Sequence, residues 1–221
     1  MVRVWIANSM CRQTFDSVTP DTIPISSSDG GLPSAGRGSH LVIEGRLAPG
    51  QVAVDATAGN GHDSLFLARN VGPGGRVFIF DVQAAALEAT SERLGHAGVS
   101  DSSYRLLNCG HETLACSLPA DLKGGIQVIM FNLGYLPGSD KRVITETEKT
   151  LRGIKSALDW LAFGGLVTVV VYPGHPGGAE EARAVSALAD RLPPRAFEVQ
   201  HIRPINCSSS PPELWVFLKR N

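Results

Sequence analysis

The sequence predicts an α/β protein, a doubly wound and mostly parallel sheet of seven strands that closes with an antiparallel hairpin. Three observations carry this. From about Ser39 onward, short β-rich runs alternate with segments of helical periodicity, the pattern of a parallel sheet covered by helices. One run passes through closely spaced glycines straight into a helical pattern, VDATAGNGHDSLFLA. The last two runs are separated only by INCSSSPP, too short for a crossover helix, so they must pair antiparallel.

Taken in order, residues 1–38 include SVTPDTIPISSSDGGLPSAGRG, rich in Ser, Pro and Gly and poor in periodic apolar positions, and read as a flexible arm. A transit peptide is the alternative, but Asp16, Asp21 and Asp29 depart from the acid-poor pattern of such peptides. Residues 39–221 read as one domain. Its expected strands are QVAVDAT, RVFIFDV, SYRLLN, IQVIMFN, LVTVVVY, AFEVQHI and ELWVFLK. Helical spacing is clearest in Leu151, Ile154, Leu158 and Leu161, and again in Ala182, Val185 and Leu188 or Ala189. Glu180 and Glu181 then fall in a first helical turn, where the positive end of the helix dipole favours acids. Trp160 and Trp215 read as core.

Composition narrows the function. With 43% apolar residues and a net charge of -1, whole-chain disorder is excluded. The longest apolar stretches fall far short of the roughly 20 residues of a membrane span. A sequence pI of 6.6 argues against wrapping long nucleic acid, which needs many phosphate contacts, while allowing a small footprint. Cys11, Cys109, Cys116 and Cys207 show no CxxC pairing and read as free thiols. They favour a reducing, cytoplasmic interior, with organellar import left open. His62, His111 and His175 lack an HxxxH spacing, so no metal is expected.

In such sheets ligands bind beyond the carboxyl ends of the strands. The expected ends deliver Asp55 and TAGNGHD, then Asp81, then Asn108, Gly110, His111 and Glu112, then NLGYLPGSDK, then PGHPGG. Gly59 and Gly61 let a backbone turn tightly and approach a ligand. A dinucleotide fingerprint wants a third glycine near Ser64 or Leu65, and it is missing, although the ribose-binding acid is present as Asp81. Asp55 and Asp81 have a plainer reading as caps of the loop and the next helix. His111 with Glu112 likewise has one as an exposed pair at a helix start.

The combination D-x-T-x-G-x-G followed by an acid closing FIFD resembles the class I S-adenosylmethionine-dependent methyltransferases. The strings DATAGNGHDSLFLA, CGHET, FNLGYLPGSDK, VVVYPGHPGGAEE and PPELWVFLK further resemble the YtqB-type (MnmM-like) rRNA methylase family, over about Gly38 to Arg220. Ala58 stands where many members have methionine, and Ser139 where a second glycine is common. Pro173 stands where bacterial members have histidine, so no role transfers to that position. The resemblance implies a Rossmann-like fold and S-adenosyl-L-methionine as cofactor. It implies a cofactor pocket of Asp55, Thr57, Ala58, Gly59, Asn60, Gly61, His62, Asp63, Asp81, Val82, Gly110, His111, Asn132 and Leu133.

The resemblance also implies methyl transfer to the aminomethyl nitrogen of 5-aminomethyl-(2-thio)uridine at the wobble position of tRNA, with the anticodon stem-loop as partner. In-line displacement requires nucleophile, methyl and sulfur to be held in one line. Asn132 and Tyr135 belong to an N-L-G-Y order where amino-methylating enzymes of the superfamily place N-P-P-Y/F. Asn132 is expected to accept an amine N–H and Tyr135 to stack on a flipped base. Asp140 or His175 is the expected proton acceptor. Pro137, Gly138, Lys141, Arg142, Pro176 and Gly177 are expected to face RNA. Apolar sheet edges leave room for a homodimer. The alternatives are methylation of rRNA or another amine, and a nucleotide-binding or dehydrogenase domain on the same sheet.

Overall fold

A computed structural model describes residues 32–134, 147–207 and 209–221. Seven strands form one sheet: β1 (Val52–Asp55), β2 (Arg76–Phe80), β3 (Tyr104–Leu107), β4 (Ile126–Asn132), β5 (Leu161–Val171), β6 (Phe197–Ile202) and β7 (Glu213–Lys219). Their spatial order is β3-β2-β1-β4-β5-β7-β6. Strands β1 to β5 pair in parallel, and β7 lies antiparallel to both β5 and β6. The expected α/β sheet with its terminal antiparallel hairpin is thus present. The order reverses between β1 and β4, and a crevice at such a switch point is where this architecture takes ligands.

The helices are α1 (Ala35–Ile43), α2 (His62–Val71), α3 (Ala84–His96), α4 (Leu114–Ser117), α5 (Thr147–Trp160) and α6 (Gly178–Ala189). Alternation along the central strands divides the core into two layers. Ala53, Val77, Ile79, Val128 and Met130 pack with Ile43, Leu67, Val71, Leu87 and Leu94 on one face. Val54, Phe78, Phe80, Ile129 and Phe131 pack with Leu114, Ile154, Ala157 and Leu158 on the other. Each large apolar side chain, fully buried, contributes about 1.5–3 kcal/mol. Trp160 and Trp215 join the second layer.

Two expectations need adjustment. Residues 35–38, read as arm, form the first turn of α1, because the Ser34 hydroxyl accepts the Arg37 N–H and caps a helix that packs on β5 and β7. The compact unit accordingly runs Pro33–Asn221. Leu161, read as helical, begins β5 directly after α5 and pairs with Ile126. The register then shifts before Leu166 pairs with Val128, across a bend where Gly164 has φ +75° and a side chain at Gly165 would meet the carbonyl of Gln127. Glu181 falls in the first turn of α6 as expected, and there it is buried and accepts the Thr150 hydroxyl of α5 at 2.6 Å.

Candidate functional site

The turn between β1 and α2 is held from below, from behind and from the side. Asp55 ends β1 fully buried, with Oδ1 accepting the Thr57 N–H (3.0 Å) and Oδ2 the Ser64 hydroxyl (2.5 Å). Burial, reinforced by the charge of Asp63, pushes its pKa from 3.8 to about 7. From behind, Thr90 and Arg93 of α3 donate to the carbonyls of Gly59 (3.3 Å) and Asn60 (2.5 Å). Gly59 and Gly61 have φ of +52° and +75°, the left-handed region where glycine is unstrained.

Asp81 follows β2 and joins the loop to the next helix. Its Oδ2 accepts the Gly59 N–H at 3.0 Å and its Oδ1 the Gln83 N–H at 2.9 Å. The Asn108 amide beyond β3 donates to the carbonyls of Asp81 and Val82. Val82 itself is 57% exposed. Asp81 and Val82 therefore present an acceptor and an apolar face side by side, whereas Asp55 spends its oxygens on the loop. The plainer reading of Asp55 as a loop cap describes its hydrogen bonds. With none of its surface exposed, Asp55 holds the turn from within rather than facing the open end of the site.

His111 departs from the plainer reading of an exposed pair after β3. It is buried, edge-on to Phe131 at 5.4 Å and packed so closely under α5 that a Cβ at Gly153 would lie 2.7 Å from its Cδ2. Burial lowers its pKa, so the ring is neutral, and Nε2 has no hydrogen-bond partner among the described residues. A side chain at Gly110 would collide with the Glu112 carboxylate. Leu133 is buried, and its N–H donates to the Val170 carbonyl.

Asn132 at the end of β4 is tied at three points. Its N–H donates to Thr57 Oγ1 (2.7 Å), its Nδ2 to Asp63 Oδ2 (3.2 Å), and its Oδ1 accepts the Tyr172 hydroxyl (2.9 Å). Burial and the nearby Asp63 raise the pKa of Tyr172, so the phenol keeps the proton it donates. The Tyr172 ring stacks on His175 at 5.2 Å. The PGHPGG turn closes through His175 N–H to Tyr172 O and Gly178 N–H to His175 O, and Gly177 with φ +78° opens α6 beyond Pro176. Asp63 also meets His40 of α1 at 2.6 Å. His40 stands in no motif that the sequence alone marks as functional, and Tyr172, although it lies inside VVVYPGHPGGAEE, is given no role there. His40 lies 23 positions from its partner, and only the recognition of a helix before the first strand would point to it.

The structure thus gathers Thr57, Gly59, Asn60, Gly61, His62, Asp63, Asp81, Val82, Asn132 and His175 around the carboxyl ends of β1, β2, β4 and β5. Tyr135, Pro137, Gly138, Asp140, Lys141 and Arg142 lie outside the described residues. Among the described residues no group of three or more His, Cys, Asp or Glu side chains is placed to hold a metal ion.

Comparison with known proteins gives the family and the fold. A family model described as "Putative rRNA methylase" matches residues 77–218. A curated relative from Arabidopsis thaliana, named tRNA (mnm(5)s(2)U34)-methyltransferase, chloroplastic, is 35% identical over 190 residues, covering 83% of this chain and 69% of the relative. The solved structure of a Clostridium thermocellum protein described as "putative rRNA-methylase" superposes with a TM-score of 0.80 at 34% identity, covering 86% of this chain and 99% of that one. The structure of a Streptococcus mutans protein described as "a putative methyltransferase", in complex with SAH, superposes with a TM-score of 0.76 at 33% identity and the same coverage. By the match of the family model and the likeness to the Arabidopsis methyltransferase, the chain belongs to the family described as "Putative rRNA methylase".

Proposed function

We propose that this protein is an S-adenosylmethionine-dependent tRNA methyltransferase that methylates the aminomethyl nitrogen of 5-aminomethyl-2-thiouridine at the wobble position. The observation that carries the reading is the likeness, along most of both chains, to the Arabidopsis tRNA methyltransferase. The geometry supports it. The two Asp81 oxygens use one acceptor site each on backbone N–H groups, and a carboxylate has about four, so capacity remains for the vicinal hydroxyls of a ribose. Exposed Val82 offers an apolar surface for a purine beside them. The glycine loop brings bare backbone to the same hollow, and buried, neutral His111 with its orphaned Nε2 lies beyond it. These residues fit S-adenosylmethionine, which when bound supplies an electrophilic methyl group on a sulfonium.

The chain's own residues then have to bind, aim and deprotonate. In the proposed arrangement Asp81, Val82 and the 57–61 loop hold the donor, and Asp55 holds the loop. Asn132 Oδ1 accepts one N–H of the incoming amine, aiming its lone pair toward the methyl. Tyr135 stacks on the extruded base, Pro137, Gly138, Pro176 and Gly177 line its entry, and Lys141 and Arg142 meet phosphates of the anticodon stem-loop. The amine proton passes to Asp140 or His175. Assay of D140N and H175A across pH tells them apart, since only loss of the true acceptor abolishes the rising limb of the profile.

The decisive experiment incubates the protein and methyl donor with tRNA carrying 5-aminomethyl-2-thiouridine, followed by nucleoside mass spectrometry. One added methyl on the wobble nucleoside supports the reading. Methyl appearing in rRNA instead, or thermal stabilisation by a nicotinamide cofactor alone, overturns it. A homodimer and a cytoplasmic location belong to the same proposal. Among the described residues β6 pairs on one side only, leaving an edge for a second copy, which size-exclusion chromatography reads. No helix among the described residues is long and apolar enough to cross a membrane. Cys109, Cys116 and Cys207 are free thiols, and a plastid signal from a C-terminal fluorescent fusion would overturn the cytoplasmic assignment.

A further inference from the structure

We propose that His40, in the helix that precedes the sheet, is a positioning residue for methyl transfer, acting through Asp63 to set which end of the Asn132 amide faces the substrate, with Tyr172 fixing the other end. The inference rests on the methyltransferase reading above. Its basis is a continuous line of side chains drawn from four elements. His40 Nε2 of α1 lies 2.6 Å from Asp63 Oδ1 of α2. Asp63 Oδ2 accepts from Asn132 Nδ2 at the end of β4, and Asn132 Oδ1 accepts from Tyr172 just beyond β5. The His40 ring is itself held flat on Phe66, centroids 4.0 Å apart and planes 2° from parallel.

An amide can present either a carbonyl oxygen or an NH₂ group after a half-turn about its last bond, and only the oxygen accepts an amine N–H. An ionised carboxylate can only accept, so Asp63 forces the Asn132 NH₂ toward itself and the oxygen toward Tyr172. The Tyr172 hydroxyl must then donate. The amide oxygen has two lone pairs and Tyr172 takes one, leaving the second to receive the substrate. His40 donates to the far oxygen of Asp63 and so holds that nearly buried carboxylate in the rotamer that reaches Asn132. Helix α1 is thereby part of the reaction centre and not only a cover for β5 and β7.

The test compares H40A, H40Q, Y172F and H40A/Y172F with the parent in steady-state transfer to modified tRNA. It also follows the Asn132 side-chain NH₂ resonances of ¹⁵N-labelled protein with neither donor nor RNA present, assigned by their loss in N132D. In H40A we expect kcat to fall about tenfold or more while the KM for tRNA stays nearly unchanged. H40Q, whose Nε2 can make the same donation, recovers most of the activity. H40A/Y172F is less impaired than the product of the two single effects, because both act on one amide. The Asn132 resonances shift in H40A and return in H40Q. An H40A protein with parental kcat, or Asn132 resonances unmoved in H40A, overturns the inference, as does an H40Q protein no better than H40A. A parent that transfers no methyl to tRNA overturns the functional reading instead, and the resonances still decide whether His40 sets the amide.

Discussion

Asp55 carries a carboxyl with none of its surface in solvent, and its burial and the neighbouring Asp63 charge move its pKa from 3.8 to about 7. The folded protein therefore binds this proton more tightly than the unfolded chain. The resulting stabilisation is complete below pH 3.8 and is lost as pH rises through about 7. D55N keeps an acceptor for Ser64 but has no proton to lose, so denaturant midpoints should fall less steeply for it than for the parent across that window. Asp81 predicts differently, because its two charge-assisted bonds hold the loop from the side open to ligand. D81N puts an NH₂ against one backbone N–H, and at roughly 1.5–3 kcal/mol per charged hydrogen bond it should weaken S-adenosylmethionine binding at least about tenfold in calorimetric titration. Both acids were legible because each stands at a fixed distance from a glycine motif. His40 and Tyr172 were not. A lone histidine on a helix and a tyrosine after an apolar strand acquire meaning only from partners far away in the chain.

Among the elements, the β1–α2 turn tolerates little change. Gly61 combines φ +75° with a would-be Cβ only 2.8 Å from the Thr90 backbone, so G61A must strain the turn and push α3 away. A loss of roughly 1–3 kcal/mol in stability is expected from backbone strain of this kind, together with weakened donor binding. Thermal melts with and without S-adenosylmethionine measure both. Most elements could be read from periodicity: the alternating strands, the Ile154 and Leu158 stripe of α5 and the Val185 face of α6. The exceptions have a physical cause. Helix α1 is short and its apolar pattern is diluted by Gly36 and Gly38, so only its packing on β5 and β7 reveals it. The start of β5 at Leu161 was hidden because a residue adjoining a helix continues its spacing even when its backbone has already entered the sheet.

For the molecule as a whole, a net charge of -1 leaves little general attraction for RNA, so binding must depend on a few local cations. The pair K141A/R142A should weaken tRNA binding and flatten the slope of log Kd against log salt by about 0.7–0.9 for each phosphate no longer neutralised, with S-adenosylmethionine affinity unchanged. Filter binding over a salt series checks this, and an unaltered slope removes these residues from the RNA surface. The sheet order brings the glycine loop, Asp81 and Asn132 to adjacent strands, although 75 positions separate Thr57 from the Asn132 N–H it accepts.

By itself the sequence determined the sheet, the glycine turn and the two acids, because helical and strand periods, glycine spacing and short motifs are local properties of the chain. Only the tertiary structure decided that Asp55 serves the loop, that His111 is buried and neutral beneath Gly153, and that His40, Asp63, Asn132 and Tyr172 form one line. Burial and hydrogen-bond partnership depend on which distant segments share a sheet end, and no local pattern encodes that proximity.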